Sequence, residues 1–468
     1  MKRLLSALVL ILLVQPAFSQ TRFIEVSKVN PSYFAFSDGS TYIPIGINMI
    51  NPSGRNGRNA DSAFAEIEHW MKNLSENGGN YIRVWLSQSF WDIETKAGVY
   101  DEEKAKRIDS FISMARKYHL RIKLTLEHFR SITLEENPQE WATKFAYHKS
   151  NGGPLDSIAQ YLSTPQGQKL FLDKLDFYQK RYGSDTLFFG WELWNEMNAV
   201  KGAEDEIFWQ WNEKMLKALK EKFPHNLAMQ SLGSFDGDYA KPLYERLMKM
   251  PGNEVAQVHR YLDLGAPMEI CHAPMDVITA SAVKDLQAYH ASKPILVAET
   301  GAVEPKHAGP SKYYPKDTAG ILLHDILFAP FFTGAAGTGM SWHWESYVDK
   351  NNLWYHYGRF NEAIKGVDPV RDKLVPGFTE TDMFRIYTLK GQNTSLVWVR
   401  EKSSDWQNEL EKGLPAKVVS KATLKLPAKA KFVDVYDPWT NEHIKVKTNG
   451  TSIVLPDFRR SVVIRINN

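Results

Sequence analysis

The sequence predicts a (β/α)8 TIM barrel followed by a small antiparallel β-sandwich, and three observations carry the prediction. Strand-like apolar runs alternate with amphipathic helical stretches through eight rounds between residues 42 and 366. No glycine-rich phosphate loop follows the first run, which disfavours the competing doubly wound sheet. Beyond Pro369 the helical period disappears, and short alternating segments separated by turns take over.

The chain opens with MKRLLSALVLILLVQPAFSQ, where Lys2 and Arg3 precede an apolar stretch and small residues lead to Ser19 and Gln20. Residues 1–19 therefore read as a secretory signal peptide. No segment reaches the roughly 18 consecutive apolar residues of a membrane helix. No cysteine follows the expected cleavage point to carry a lipid, so the expected location is secreted or periplasmic, with no membrane span. Residues 21–45 place the turn SDGS between two alternating runs, which predicts a hairpin over the bottom of the barrel.

The eight strands are expected at 42–50, 81–87, 121–129, 187–196, 227–233, 254–262, 294–301 and 335–344. Helical stretches such as 61–77, 102–119, 167–183 and 205–223 repeat their apolar residues every three or four positions. The connection after the third strand, 132–166, is the longest without an obvious helix, and such loops usually persist because they build a site. The barrel with its hairpin is expected over 20–368 and the sandwich over 369–468.

Composition narrows the function classes. The formal charge of +3 is small and dispersed, so a nucleic acid partner has no electrostatic support. Cys271 is the single cysteine, which excludes an internal disulfide framework. The 13 histidines show no HExxH and no metal-ligand His–Cys spacing, so no metal and no other cofactor is expected. GxSxG, the signature of one class of serine hydrolases, is absent. The 14 tryptophans are numerous, and sugar-binding clefts need flat apolar faces with a polar edge.

Catalytic groups of such barrels stand where strands end at the carboxyl face. The stretch WELWNEMN, residues 191–198, follows the apolar run LFFG and delivers Asn195 and Glu196 to the end of strand four. Strand seven ends in AETG with Glu299; strands two, three, six and eight add Arg83, Glu127 with His128, His259 with Tyr261, and Trp342, His343 and Trp344. Two carboxylates facing each other across a barrel mouth suit glycosidic bond hydrolysis, in which one protonates the leaving oxygen and the other attacks the anomeric carbon. The pair must then differ in protonation. An arginine and a tyrosine beside Glu299 would keep it ionised, whereas that charge and partial burial would raise the pKa of Glu196.

These motifs resemble the glycoside hydrolase clan A superfamily, and most of all family 5, the cellulase and mannanase family. Its acid/base glutamate follows an asparagine at the end of strand four, and its nucleophile glutamate ends strand seven. WELWNE and VAETG match with Asn195–Glu196 and Glu299. The resemblance implies that Arg83 in IRVW and Tyr261 in VHRY hold the nucleophile and that His259 lines the site. Asn195 would contact the sugar 2-hydroxyl, and Trp342 or Trp344 would floor the subsite of the attacked sugar, with Trp342 preferred. NEMN stands here in place of the NEP common in family 5. The function implied is a retaining β-glycoside hydrolase acting on β-linked polysaccharide or oligosaccharide, with β-1,4-mannan or glucan ahead of a β-galactoside. The rival from another class is a non-catalytic glycan-binding protein on a degenerate barrel.

Other polar residues have plainer readings. Glu192 suits a structural ion pair inside the barrel, Glu127 and His128 suit support behind the site, and Glu345 suits a loop carboxylate. His69 with Glu66 and His119 with Arg116 fall on solvated helix faces.

Overall fold

Strands covered by helices on one side and filled by side chains on the other are buried on both faces. Tyr81–Trp85, Arg121–Glu127, Phe188–Trp194, Ala256–Leu262 and Ile295–Ala302 are buried at every position, in keeping with that rule. The computed structural model describes residues 22–53, 59–183, 185–200, 205–289 and 292–467. The expected signal peptide lies outside the described residues, and among them no helix is long and apolar enough to cross a membrane.

Gly46–Asn48, Tyr81–Trp85, Arg121–Glu127, Phe188–Trp194 and Leu227–Met229 pair in that order, all parallel, as the first to fifth strands. The sixth and seventh, Ala256–Leu262 and Ile295–Ala302, pair in parallel with each other. Between the fifth and sixth, Glu254 N donates to Ala228 O at 2.9 Å and Phe235 N to His259 O at 2.8 Å. The order and the intervening helices are those expected of a (β/α)8 barrel.

The eighth strand differs from expectation. Residues 335–344 form no continuous ladder; Ser341 alone bridges Ile47 and Thr300. The segment nevertheless bonds both neighbours, with Met340 N to Val297 O at 2.9 Å and Asn48 N to Ser341 O at 3.2 Å. Its glycines explain the irregularity: a Cβ on Gly337 would lie 2.3 Å from Pro44 O, and one on Gly339 2.6 Å from Ile326 O. The main chain runs too close to its neighbours for an ordinary pleat.

Helix starts follow the sequence. Asn59 caps Ala60–Glu76, Asp101 caps Glu102–Lys117, and Thr164 caps Pro165–Tyr182 with proline in the first turn. At the bottom, the expected hairpin is a three-stranded antiparallel meander of Ile24–Val26, Phe34–Phe36 and Thr41–Tyr42. Phe34 sits 4.9 Å from Phe189, near the start of the fourth strand, and so seals that end.

The C-terminal region is a six-stranded antiparallel sheet in the order Val375–Glu380, Phe384–Lys390, Thr394–Glu401, Ser461–Asn467, Thr423–Asp437, Glu442–Val454. A two-sheet sandwich was expected; the second layer is reduced to a ribbon of Val418–Val419 with Phe458–Arg459 and the far half of a long hairpin. Where that hairpin shifts register at Ala430, its far half brings Leu424, Leu426 and Ile453 into the cluster with Val397, Val399 and Val462. The opposite face, with Tyr387, Trp398 and Val463, packs on the barrel. There it meets Ile321–Phe332, a helix buried at every position because it is sandwiched between the two.

Buried ion pairs cross this interface. Arg385 grips Asp276 at 2.6 and 2.8 Å with Tyr387 Oη at 2.9 Å, and Arg400 grips Asp325 at 2.8 and 3.1 Å. Removing one partner of such a pair strands the other charge. Arg385→Leu is expected to lower the unfolding free energy in urea by about 3–5 kcal/mol. Lys402→Ala, which breaks a partly exposed pair with Glu380, should cost less than about 1 kcal/mol. Equal effects would mean that the buried pair carries no special weight.

Candidate active site

The fourth strand ends at Trp194, whose indole donates to Phe129 O at 2.8 Å and ties it to the loop after the third strand. Beyond it, Asn195 N still bonds Glu127 O at 2.8 Å, but Glu196 turns into the left-handed region at φ +50°, ψ 52°. A side chain there costs of order 1 kcal/mol, and such strain tends to collect at functional positions. Glu196 N donates to Ser231 Oγ at 3.2 Å, and Ala199 N to Glu196 O at 2.9 Å, which hold the turn.

Glu299 is fixed from behind. Arg83, fully buried on the second strand, donates through Nη1 to Glu299 Oε1, and Tyr261 Oη donates to Oε2 at 2.9 Å. The same guanidinium donates to Glu192 at 2.7 and 2.9 Å, to Asn195 Oδ1 at 2.8 Å, to Thr125 Oγ1 at 3.1 Å and to Asn48 Oδ1 at 3.3 Å. Glu192 is thus an internal ion-pair partner with no opening to the cleft. Because Asn195 Oδ1 accepts from Arg83, its amide nitrogen is the part presented to the cleft.

His259 stands between the two glutamates, its Nδ1 2.9 Å from Glu196 Oε1 and 3.5 Å from Glu299 Oε2. One ligand atom from each of the three lies within 4.8 Å of the other two. Such a grouping has the size of a cation site, but Arg83 and Arg130 already neutralise the two carboxylates, so the donor set does not call for a metal.

Glu196 departs from the expected electrostatics. Burial pushes its pKa up, but the His259 hydrogen bond and the Arg130 charge outweigh it and hold the carboxyl well below the ordinary range. Arg130 Nη2 lies 2.8 Å from Glu196 Oε2. The expectation of a raised pKa considered Glu299 and burial alone; the resting site adds a cation from the loop after the third strand.

The pair opens on a cleft of about 1560 Å³ lined from all eight strand ends, with Asn195, Glu196, Tyr261, Glu299, His128 and Trp342 among its walls. Trp342 lies 5.0 Å from Trp85, tilted by 43°, and His128 stacks on Trp85 at 5.2 Å, giving an aromatic wall. His128 is buried, with Nδ1 2.7 Å from Ser87 Oγ and Nε2 3.2 Å from Trp141 O. Trp344, the less favoured of the two tryptophans, is buried, packs against Trp70 at 6.1 Å, and borders a smaller cavity that shares Tyr261, His307, Trp342 and Glu345 with the cleft, because the chain coils tightly from that residue on. Arg83 and His259 act from beneath and do not line the main cleft.

Glu127 does not reach the cleft either, and bonds buried Lys174 at 2.5 Å. Glu345 does line it, held by Ser53 Oγ. Glu66, expected on a solvated face, accepts from Ser53 N at 2.8 Å and anchors that loop. Residues not anticipated are Trp85, Arg130, Trp141, Asp236, Lys306 and His307. Trp85 sits at the end of a recognised strand and was legible in principle; the loop residues carry no periodic signal.

Comparison with known proteins agrees with this geometry. The model of the cellulase (glycosyl hydrolase family 5) family matches residues 47–319. Mannan endo-1,4-beta-mannosidase 3 of Oryza sativa subsp. japonica is 23% identical over 320 residues, 64% of this chain and 65% of that protein. The chain thus spans slightly less than two thirds of that relative's length. A family 5 glycoside hydrolase structure from Bacteroides vulgatus ATCC 8482 superposes with a TM-score of 0.57 at 12% identity, covering 95% of this chain and 93% of the other. An exo-β-1,4-mannosidase structure from Opitutaceae bacterium strain TAV5 gives 0.52 at 18% identity over 71% of this chain and 61% of the other. The first of these spans the C-terminal sheet as well, so the two-part fold recurs.

Buried histidines give the fold a pH signature. Burial pulls His128 down to about 4 although the Trp141 carbonyl opposes it, His356 likewise to about 4, and His343 to about 3. Below the ordinary histidine value near 6.5 the unfolded chain takes up protons that the folded chain refuses. Stability should therefore fall as pH drops from about 6.5 toward 4, and be full above that window. Urea unfolding at pH 7.5 and pH 5 tests this, with the decline in His128→Gln smaller by about 2 kcal/mol. Identical declines in both proteins would contradict the assignment.

Proposed function

Because this chain belongs to glycosyl hydrolase family 5 of clan A, we propose that it is a retaining β-glycoside hydrolase cleaving β-1,4-linked mannan or its oligosaccharides by double displacement. The observation that carries the reading is the approach of a Glu196 oxygen to within 4.8 Å of a Glu299 oxygen. Retaining enzymes hold their carboxyl groups about 5–5.5 Å apart and inverting ones about 6.5–9.5 Å, to admit a water.

Glu196, ionised in the resting site, first takes up a proton from water as substrate enters; Glu299 then attacks the anomeric carbon while Glu196 gives that proton to the leaving oxygen, so that a glycosyl–Glu299 ester forms and the glycosidic bond breaks. In the second, water attacks the same carbon, Glu196 takes its proton, and Glu299 leaves as carboxylate. Arg83 and Tyr261 hold Glu299 for in-line attack, and Asn195 offers its amide to the sugar 2-hydroxyl. Trp342, backed by Trp85, forms the stacking floor. The cleft exceeds the roughly 300–1,000 Å³ of small-ligand sites, which favours a chain of several sugars over one. Mannan as substrate is supported by the rice and Opitutaceae relatives. We further read the ring of strands as a closed barrel within 20–368, the remainder as an accessory β-region, and export as the role of residues 1–19.

Hydrolysis of mannan, mannooligosaccharides, glucan and aryl galactoside by wild type, Glu196→Ala and Glu299→Ala tests this reading. Activity on mannan should fall at least about 100-fold in both variants. NMR of the first-formed product should show the β anomer. An α anomer, or a Glu299→Ala enzyme as active as wild type, would overturn the mechanism.

A further inference from the structure

We propose that Arg130 is a positioning residue that restrains Glu196 from the leaving-group side of the cleft; this rests on the reading of Glu196 as the acid/base. The two oxygens of Glu196 face different surroundings. Oε1 meets His259, which also contacts Glu299, so it looks toward the nucleophile. Oε2 meets Arg130 at 2.8 Å and looks the other way, where the departing sugar must lie.

Arg130 is built unlike Arg83. Its guanidinium lies 5.6 Å from the ring centre of Trp141, a tryptophan 41% exposed at the cleft wall. Its Nε is buried with no hydrogen-bond partner. A guanidinium with one carboxylate, one aromatic face and a buried Nε left without an acceptor is held less firmly than that of Arg83, and a sugar hydroxyl arriving over Trp141 offers its donors a new acceptor as the side chain shifts. Entry of the leaving-group sugar then loosens the hold on Oε2 at the moment that oxygen must serve the glycosidic bond.

The other groups facing Glu196 are His259 and Tyr261 on the sixth strand, Glu299 on the seventh, Tyr239 and His307 on loops, and Tyr244 on the helix behind. Among the described residues Arg130 is the one permanent cation paired with Glu196. Its charge favours the carboxylate form, so the acid loses its proton at a lower pH than it would without Arg130.

The test is the pH profile of kcat/KM on mannooligosaccharide, whose alkaline limb reports loss of the acid's proton. In Arg130→Met and Arg130→Gln the limb should move up by about one pH unit or more, whereas Arg130→Lys, which keeps the cation, should stay within about half a unit of wild type. A limb position is a ratio of rates, so a lower yield of folded protein does not mimic the shift. Neutral variants that are slower at every pH with the limb unmoved would reduce Arg130 to a structural part and overturn the proposal. Glu196→Gln separates the two levels. If it retains full activity, the acid/base reading itself falls; if it is inactive while the neutral Arg130 variants leave the limb in place, only the role of Arg130 falls.

Discussion

A guanidinium sealed from water must find all its partners inside the protein, and the site is organised around that requirement at Arg83. Asn48, Thr125, Glu192, Asn195 and Glu299, drawn from the first, third, fourth and seventh strands, converge on it. Any displacement of one strand would leave a buried charge short of a partner, so register across the barrel and placement of Glu299 are one constraint. Charge balance extends it: Arg83 and Lys123 lie against Glu192 and Glu299. In the proposed double displacement, Glu192 still answers Arg83 while Glu299 is a neutral ester. Glu192 is in this sense part of how the barrel tolerates the chemistry, although it never sees the sugar.

The two glutamates differ because their supports differ. Glu299 is gripped from below by a cation with no freedom left and by a tyrosine within the barrel. Glu196 is carried on a strained left-handed turn and touched by a cation on a loop, itself resting on a partly exposed tryptophan. A nucleophile profits from a fixed seat. A group that gives a proton and later takes one back profits from a neighbour that can yield, and the loop after the third strand supplies it.

Much of this was legible in the sequence because strands are. Runs such as YIRVW announce themselves by aromatic and β-branched residues and RIKLTLE by strict alternation, and the polar residues on or just beyond the runs, Glu196, Glu299, Arg83, His259 and Tyr261, stand out against them. The eighth strand was legible only in outline, since AAGTGMSW reads as a strand but packs its glycines where no ladder fits. Of the two tryptophans the resemblance offered, the preferred Trp342 lines the cleft, while Trp344 is buried behind it. Arg130 and Trp141 had no pattern to betray them, because loop geometry depends on contacts distant in sequence. The pKa of Glu196 followed suit in part, its sign decided by the His259 hydrogen bond together with the charge of Arg130, which no periodicity brings near.

The central claim is that the carboxylate seated on Arg83 forms the covalent bond to sugar. Its most direct test is to incubate the enzyme with an activated 2-deoxy-2-fluoro-β-mannoside, digest it, and locate the label by mass spectrometry. One fluoroglycosyl unit per chain is expected on the peptide containing Glu299, with inactivation in step with labelling. Inactivation with the label on Glu196 or any other residue, or ready turnover of the activated mannoside by Glu299→Ala, would contradict it.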